Sequence, residues 1–154
     1  MPRRERKYTL DTNVYITAFR DPKANAALQV FHTVFAPFEY LSAVVVQELA
    51  AGVRTSPASH RLERLLFEPF QRRGRIITPS DAAWKRAGQV LSTLVRREGL
   101  ELRHITKGFA NDVMLAVACR EAGVVLVTEN RRDFERIGNV ISFEFVDPWP
   151  APAG

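Results

Sequence analysis

The sequence has only one cysteine, Cys119, in 154 residues. A lone thiol excludes an intramolecular disulfide framework and a cysteine-based zinc centre. Histidine is almost as scarce, and His32, His60 and His104 lie far apart, without metal-ligand spacing. No apolar run approaches the roughly 18 residues that read as a membrane-spanning helix. The charged start, MPRRERKY, is not followed by the apolar stretch of a secretory signal. A soluble protein of a reducing cytoplasm, with no membrane partner, is therefore expected. Internal repeats, low-complexity tracts and interdomain linkers are missing too. One domain over residues 1–154 follows, with the basic segment 1–6 and the proline-rich end 147–154 at its periphery.

What the chain does have is an apolar content of 46%, enough for a core, and an excess of basic residues. Lysine and arginine number 22 against 17 acids, a net charge of +5. That balance permits a polyanionic partner such as a nucleic acid without requiring one.

Periodicity divides the chain into alternating strands and helices. KYTL (7–10) reads as a strand, and Thr12 and Asn13 begin a helix after it. Residues 24–38 place Ala27, Leu28, Phe31, Val34 and Phe35 at helical spacing, ended by Pro37. Residues 39–52 hold a short strand, then a helix capped by Ser42 and stopped by Gly52. Residues 57–70 form an amphipathic helix with Leu62, Leu65 and Leu66 on a core-facing side. GRIIT (74–78) is a strand, and Ser80 caps a long helix carrying Trp84, Ala87, Val90, Leu91, Leu94 and Val95 inward. Residues 108–123 are apolar on most sides, as in a buried helix. VVLVT (124–128) is unalternating and β-branched, as in a strand covered on both faces. VISFEFV (140–146) supplies the last strand, and DPWPAPAG leaves the fold. Strands interleaved with helices in this way define an α/β protein with a mainly parallel sheet. In such sheets ligands gather beyond the carboxyl ends of the strands, where Asp11 and the pair Glu129–Asn130 fall.

Glu48 and Asp112 interrupt segments that are otherwise apolar, and with Asp11 they form the chemically interesting set. Asn130 and Asp133 follow the late strand in TENRRDF. Each has an ordinary structural role available. Asp11 fits a helix cap or Asx-turn, and Asp112 fits a charge at a helix N-terminus. Glu48 fits a side chain reaching out to solvent, and Asp133 an exposed turn with Arg131 and Arg132. Together these roles account poorly for carboxylates in apolar segments, because buried acids are costly and crowded ones repel. A divalent cation relieves both problems, and all-oxygen donors point to Mg²⁺ or Mn²⁺. Such a site suits phosphodiester hydrolysis.

At these residues the chain resembles the PIN-domain ribonucleases, and within them the VapC-type toxins of type II toxin–antitoxin pairs. The resemblance is carried by LDTNVYI, LSAVVVQELAAG, NDVMLAVACREAGVVLVTENRRDF and FVDPW, in the family's order over nearly the whole chain. It implies a PIN-like three-layer fold, with a mainly parallel sheet of four to five strands flanked by helices. It further implies an acidic pocket for Mg²⁺ or Mn²⁺ built from Asp11, Glu48 and Asp112 as catalytic and metal-holding acids. The fourth position falls on Asn130, where some members carry aspartate, with Asp133 able to contribute through water. Thr12, Asn13 and Thr128 become supporting polar groups, and Arg131 and Arg132 candidate RNA contacts. The implied partners are an RNA substrate, a VapB-type antitoxin cradled by helices near 57–70, and a second copy in a homodimer. Such antitoxins often place a cationic side chain in the acidic pocket, in competition with metal. Two other readings compete with an endoribonuclease toxin. One is a non-catalytic PIN-like RNA-binding module, supported by Asn130. The other is a protein-interaction domain whose acids are helix caps. The intact Asp11–Glu48–Asp112 set favours catalysis.

Overall fold

The structure, a computed structural model, describes residues 5–152. The first four residues of the basic N-terminal segment and the last two of the proline-rich end lie outside the described residues. Five short strands, β1 (Tyr8–Leu10), β2 (Glu39–Ser42), β3 (Ile76–Ile77), β4 (Val125–Val127) and β5 (Phe145–Val146), form one sheet in the order β3-β2-β1-β4-β5. Every pairing is parallel, with Thr9 opposite Leu126 and Leu41 opposite Ile76. Parallel neighbours need crossover connections, and here helices supply them. The helices α1 (Thr12–Arg20) and α2 (Pro22–Phe35) link β1 to β2. From β2 the chain runs through α3 (Ala43–Gly52), α4 (Ser56–Leu62) and α5 (Glu68–Arg72) to β3. The helices α6 (Asp81–Glu98) and α7 (Lys107–Ala122) lead to β4, and α8 (Arg131–Gly138) to β5. The expected flanked parallel sheet is present.

Strands β1 and β4 are fully buried, which is why β4 is apolar throughout and Thr9 of β1 is as buried as its neighbours. Tyr8 meets Phe35 edge-on at 5.1 Å, and Phe35 stacks on Phe31 at 4.8 Å, which seats α2 on β1. Along α7, Val113 to Cys119 are all buried, as expected of a helix apolar all round. Gly123 (φ +66°) ends α7 in the left-handed region that favours glycine and turns the chain into β4.

Several elements differ from expectation for local reasons. The run 57–70 is not one regular helix. Between α4 and α5 a wider turn, Glu63–Phe67, bonds the Glu68 N–H to the Glu63 carbonyl. Such a turn accommodates Pro69, whose ring lacks an N–H and crowds the preceding turn. It leaves Leu66 buried but Leu65 exposed. Val34 is also exposed, and so is Trp84, at 62%, although both share helical spacing with core residues. The final strand is shorter than 140–146, because the N–H groups of Val140 and Ile141 bond back to Ile137 and extend the end of α8. The proline-rich end does not simply leave the fold, since Trp149 lies 5.3 Å from Phe31 and packs against the core.

These placements predict opposite outcomes for two large apolar residues. Leu126→Ala should lower unfolding free energy by about 2–5 kcal/mol, the usual cost of a cavity in a closed core. Trp84→Ala should change it by no more than about 0.5 kcal/mol. Denaturant titrations of the two variants test the assignment.

Candidate active site

The strand order makes the sheet's switch point. The chain leaves β1 toward β2 on one side, while β4 lies on the other, and the carboxyl ends of β1 and β4 are where such a sheet gathers ligands. Asp11 lies there, still tied to the sheet by its N–H, which donates to the Val127 carbonyl at 2.9 Å. Its extended backbone makes it the N-cap of α1. Oδ1 accepts the Thr12 N–H at 2.7 Å, and Oδ2 accepts the Thr128 hydroxyl at 2.7 Å and the Asn13 amide at 3.2 Å. Thr128 is fully buried and itself accepts the Asn130 N–H at 3.0 Å. Thr12, Asn13 and Thr128 thus all brace the site. The cap role and the pocket role fall on the same residue, Asp11, rather than being divided between it and its neighbours.

The other acids arrive from three helices. Ser42 caps α3, and Glu48, in its second half, accepts the Thr12 hydroxyl at Oε1 over 2.8 Å. Thr106 caps α7 and sets Asp112 half-buried near its start. Asn130 caps α8, and its amide nitrogen reaches Asp112 at 3.4 Å and Asp133 at 3.0 Å. Asp133 therefore belongs to the first turn of a helix, not to a loose turn.

Charge is the pocket's defining property. Burial, then the neighbouring Asp11, Glu48 and Asp133, push the Asp112 carboxyl up to about 8. Burial pushes Asp11 up to about 6 against the pull of its hydrogen bonds to Thr128 and Thr12, with Glu48 and Glu129 adding to the rise. Every charged group named in these two shifts is an acid. Such a donor set, all oxygen and short of positive charge, fits a hard divalent cation. The fit lies in chemistry rather than a closed cage. Among the described residues, no three acids, histidines or cysteines are drawn together tightly enough to hold an ion as they stand.

The two arginines divide. Arg131 is held by Asp147 at 3.1 Å and Glu135 at 3.2 Å. Arg132 is exposed and has no ion pair among the described residues. Glu129, placed from sequence at the ligand-gathering end of the sheet but given no role there, acts on Asp11 and accepts the Thr17 hydroxyl at 3.0 Å. Its position directly after Thr128, at the end of β4, was the available signal. Beside the acids runs a groove of about 1020 Å³ lined by Ile16, Phe19, Leu62 and Leu65. Glu48 also lines it, so groove and acidic pocket share a wall.

A PIN domain model matches residues 8–140, and the chain belongs to the PIN-domain family. It is 28% identical over 134 residues to the tRNA(fMet)-specific endonuclease VapC of Shigella flexneri, covering 87% of this chain and 94% of that one. In three dimensions it matches the DNA-bound VapBC of Salmonella typhimurium with a TM-score of 0.68 at 22% identity, over 92% of this chain and 98% of that one. FitAcB of Neisseria gonorrhoeae gives 0.65 at 21% identity, over 94% and 99%. The two structural matches establish the fold.

The raised carboxyls make a signed prediction for metal-free protein. A folded-state pKa lifted from 3.8 to about 8 means that the native state holds Asp112's proton more tightly than the unfolded chain. Its contribution to stability is complete below about pH 4 and is lost as pH rises toward 8. In excess chelator, Asp112→Asn should melt about 2–4 °C above the parent at pH 8, as roughly 1 kcal/mol gives in a chain of this size, and no higher at pH 4. Asp11→Asn should melt below Asp112→Asn, because its new NH₂ must face a donor, either the Thr12 N–H or the Asn13 amide. Equal gains from both substitutions would contradict the bracing role of Asp11.

Proposed function

We propose that this protein is a divalent-metal-dependent endoribonuclease that hydrolyses RNA phosphodiester bonds as the toxin of a cytoplasmic toxin–antitoxin pair. The observation that carries this reading is the clustering of Asp11, Glu48 and Asp112 at the switch point of the sheet, where burial first, and neighbouring acids after it, raise the carboxyls of Asp11 and Asp112. The Shigella relative's activity as a tRNA(fMet)-specific endonuclease agrees with it. Asp11, Glu48 and Asp112 would hold Mg²⁺ or Mn²⁺. Bound there, the ion would lower the pKa of a nucleophilic water and offset charge developing on the phosphate.

The chain's own groups prepare that chemistry. Both oxygens of Asp11 are fixed by Thr12, Asn13 and Thr128, and one oxygen of Glu48 by Thr12. Oriented carboxylates cost no reorganisation when a ligand arrives. Arg132, exposed at the start of α8 and without an ion pair among the described residues, would meet RNA phosphates, whereas Arg131 is already neutralised by Asp147 and Glu135. The apolar groove that shares Glu48 suits an apolar antitoxin segment.

A second reading, a non-catalytic RNA-binding PIN module, draws on the neutral Asn130 at the fourth position. One experiment separates the two. Purified protein should cleave structured RNA with Mg²⁺ or Mn²⁺ present, and Asp112→Asn should slow it by about 10²-fold or more. Undiminished cleavage in excess chelator would sink the metal mechanism. RNA binding without any cleavage would favour the non-catalytic module.

A further inference from the structure

The pocket's fourth corner is built unlike the other three. Asn130 presents its amide nitrogen to the acids, donating to Asp112 Oδ2 at 3.4 Å and to Asp133 Oδ2 at 3.0 Å. Its Oδ1 turns away and accepts the Asp133 N–H at 3.4 Å, closing the cap of α8. The Asn130 backbone N–H donates to Thr128 Oγ1 at 3.0 Å, which anchors the residue to the brace around Asp11. The orientation of the amide follows from these contacts. Turned over, it would set Oδ1 against two carboxylate oxygens and its NH₂ against a backbone N–H.

An NH₂ group does not ligate a cation. Aimed at two carboxylates, it takes up one acceptor site on each and brings no negative charge of its own to the corner. The same corner carries the partial positive charge of the α8 N-terminus. Elsewhere the acids keep oxygens uncommitted. Glu48 Oε2 and Asp112 Oδ1 have no hydrogen-bond partner among the described residues, and they belong with Asp11 to the acids that repel one another. We propose that Asn130 is a positioning residue that limits this pocket to one divalent cation, by clamping Asp112 to Asp133 and keeping Asp133 from acting as a ligand. The proposal rests on the metal-dependent reading above and specifies its stoichiometry.

Calorimetric titration of the full chain with Mn²⁺, joined to electron paramagnetic resonance of the bound ion, tests it without reference to activity. The parent protein should bind one Mn²⁺ and give the six-line spectrum of an isolated ion. Asn130→Asp keeps a good N-cap and should bind two, with a spectrum broadened by coupling between them. Asp133→Asn, which needs no new charge in the pocket, should still bind one ion, with Kd within about threefold of the parent. No binding by the parent would overturn both the metal-dependent reading and this proposal. Two ions in the parent, one ion in folded Asn130→Asp, or about tenfold or more weakening in Asp133→Asn would overturn this proposal and leave the metal-dependent reading standing.

Discussion

The parallel pairing of β1 with β4 is the constraint on which the pocket depends. It places Asp11, at the end of one strand, beside Thr128, at the end of the other. Residues 117 apart in sequence then share a buried hydrogen bond of 2.7 Å. From that contact the rest of the site extends in both directions. Asp11 starts α1 and so places Thr12 against Glu48, while Thr128 receives the backbone of Asn130 and so places the start of α8. A slip of one residue between the two strands would turn these side chains to the other face of the sheet and dissolve the whole arrangement.

Holding the acids near one another works against folding, and the structure offsets this with rigid neighbours. Leu10, Leu49, Val113 and Phe134 directly adjoin Asp11, Glu48, Asp112 and Asp133, and all four are buried. Each acid therefore projects from backbone that the core already fixes, so burial, and after it mutual repulsion, moves protons rather than chain. That is the physical sense of the raised carboxyls at Asp11 and Asp112. They record an electrostatic load that packing elsewhere is strong enough to carry.

The sequence made the sheet legible because buried parallel strands have a distinctive composition, as VVLVT shows, and because Ser42, Gly52 and Ser80 punctuate their helices locally. The acids were legible because Glu48 and Asp112 break apolar segments, and the family resemblance placed them in one pocket. Exposure was harder to read. Trp84 and Val34 share helical spacing with buried neighbours, yet periodicity does not reveal how far a covering layer extends. Trp149 posed the reverse problem, since its prolines suggested a departing tail while its partner Phe31 lies 118 positions earlier in the chain. The fate of Arg131 was equally hidden, because Asp147 reaches it only through the placement of β5 beside β4.

Groove and pocket share a wall at Glu48. This side chain lines the apolar groove, accepts the Thr12 hydroxyl, and raises the carboxyls of both Asp11 and Asp112. A groove occupant that set a cationic side chain beside Glu48 would relieve the same repulsion that a divalent ion relieves. Two positive charges contending for one cluster of carboxylates bind with mutual penalty, and that coupling is reciprocal. On the toxin reading, inhibition then requires no movement of the sheet. It requires only an apolar segment long enough to fill the groove and one cation placed where it meets the acids.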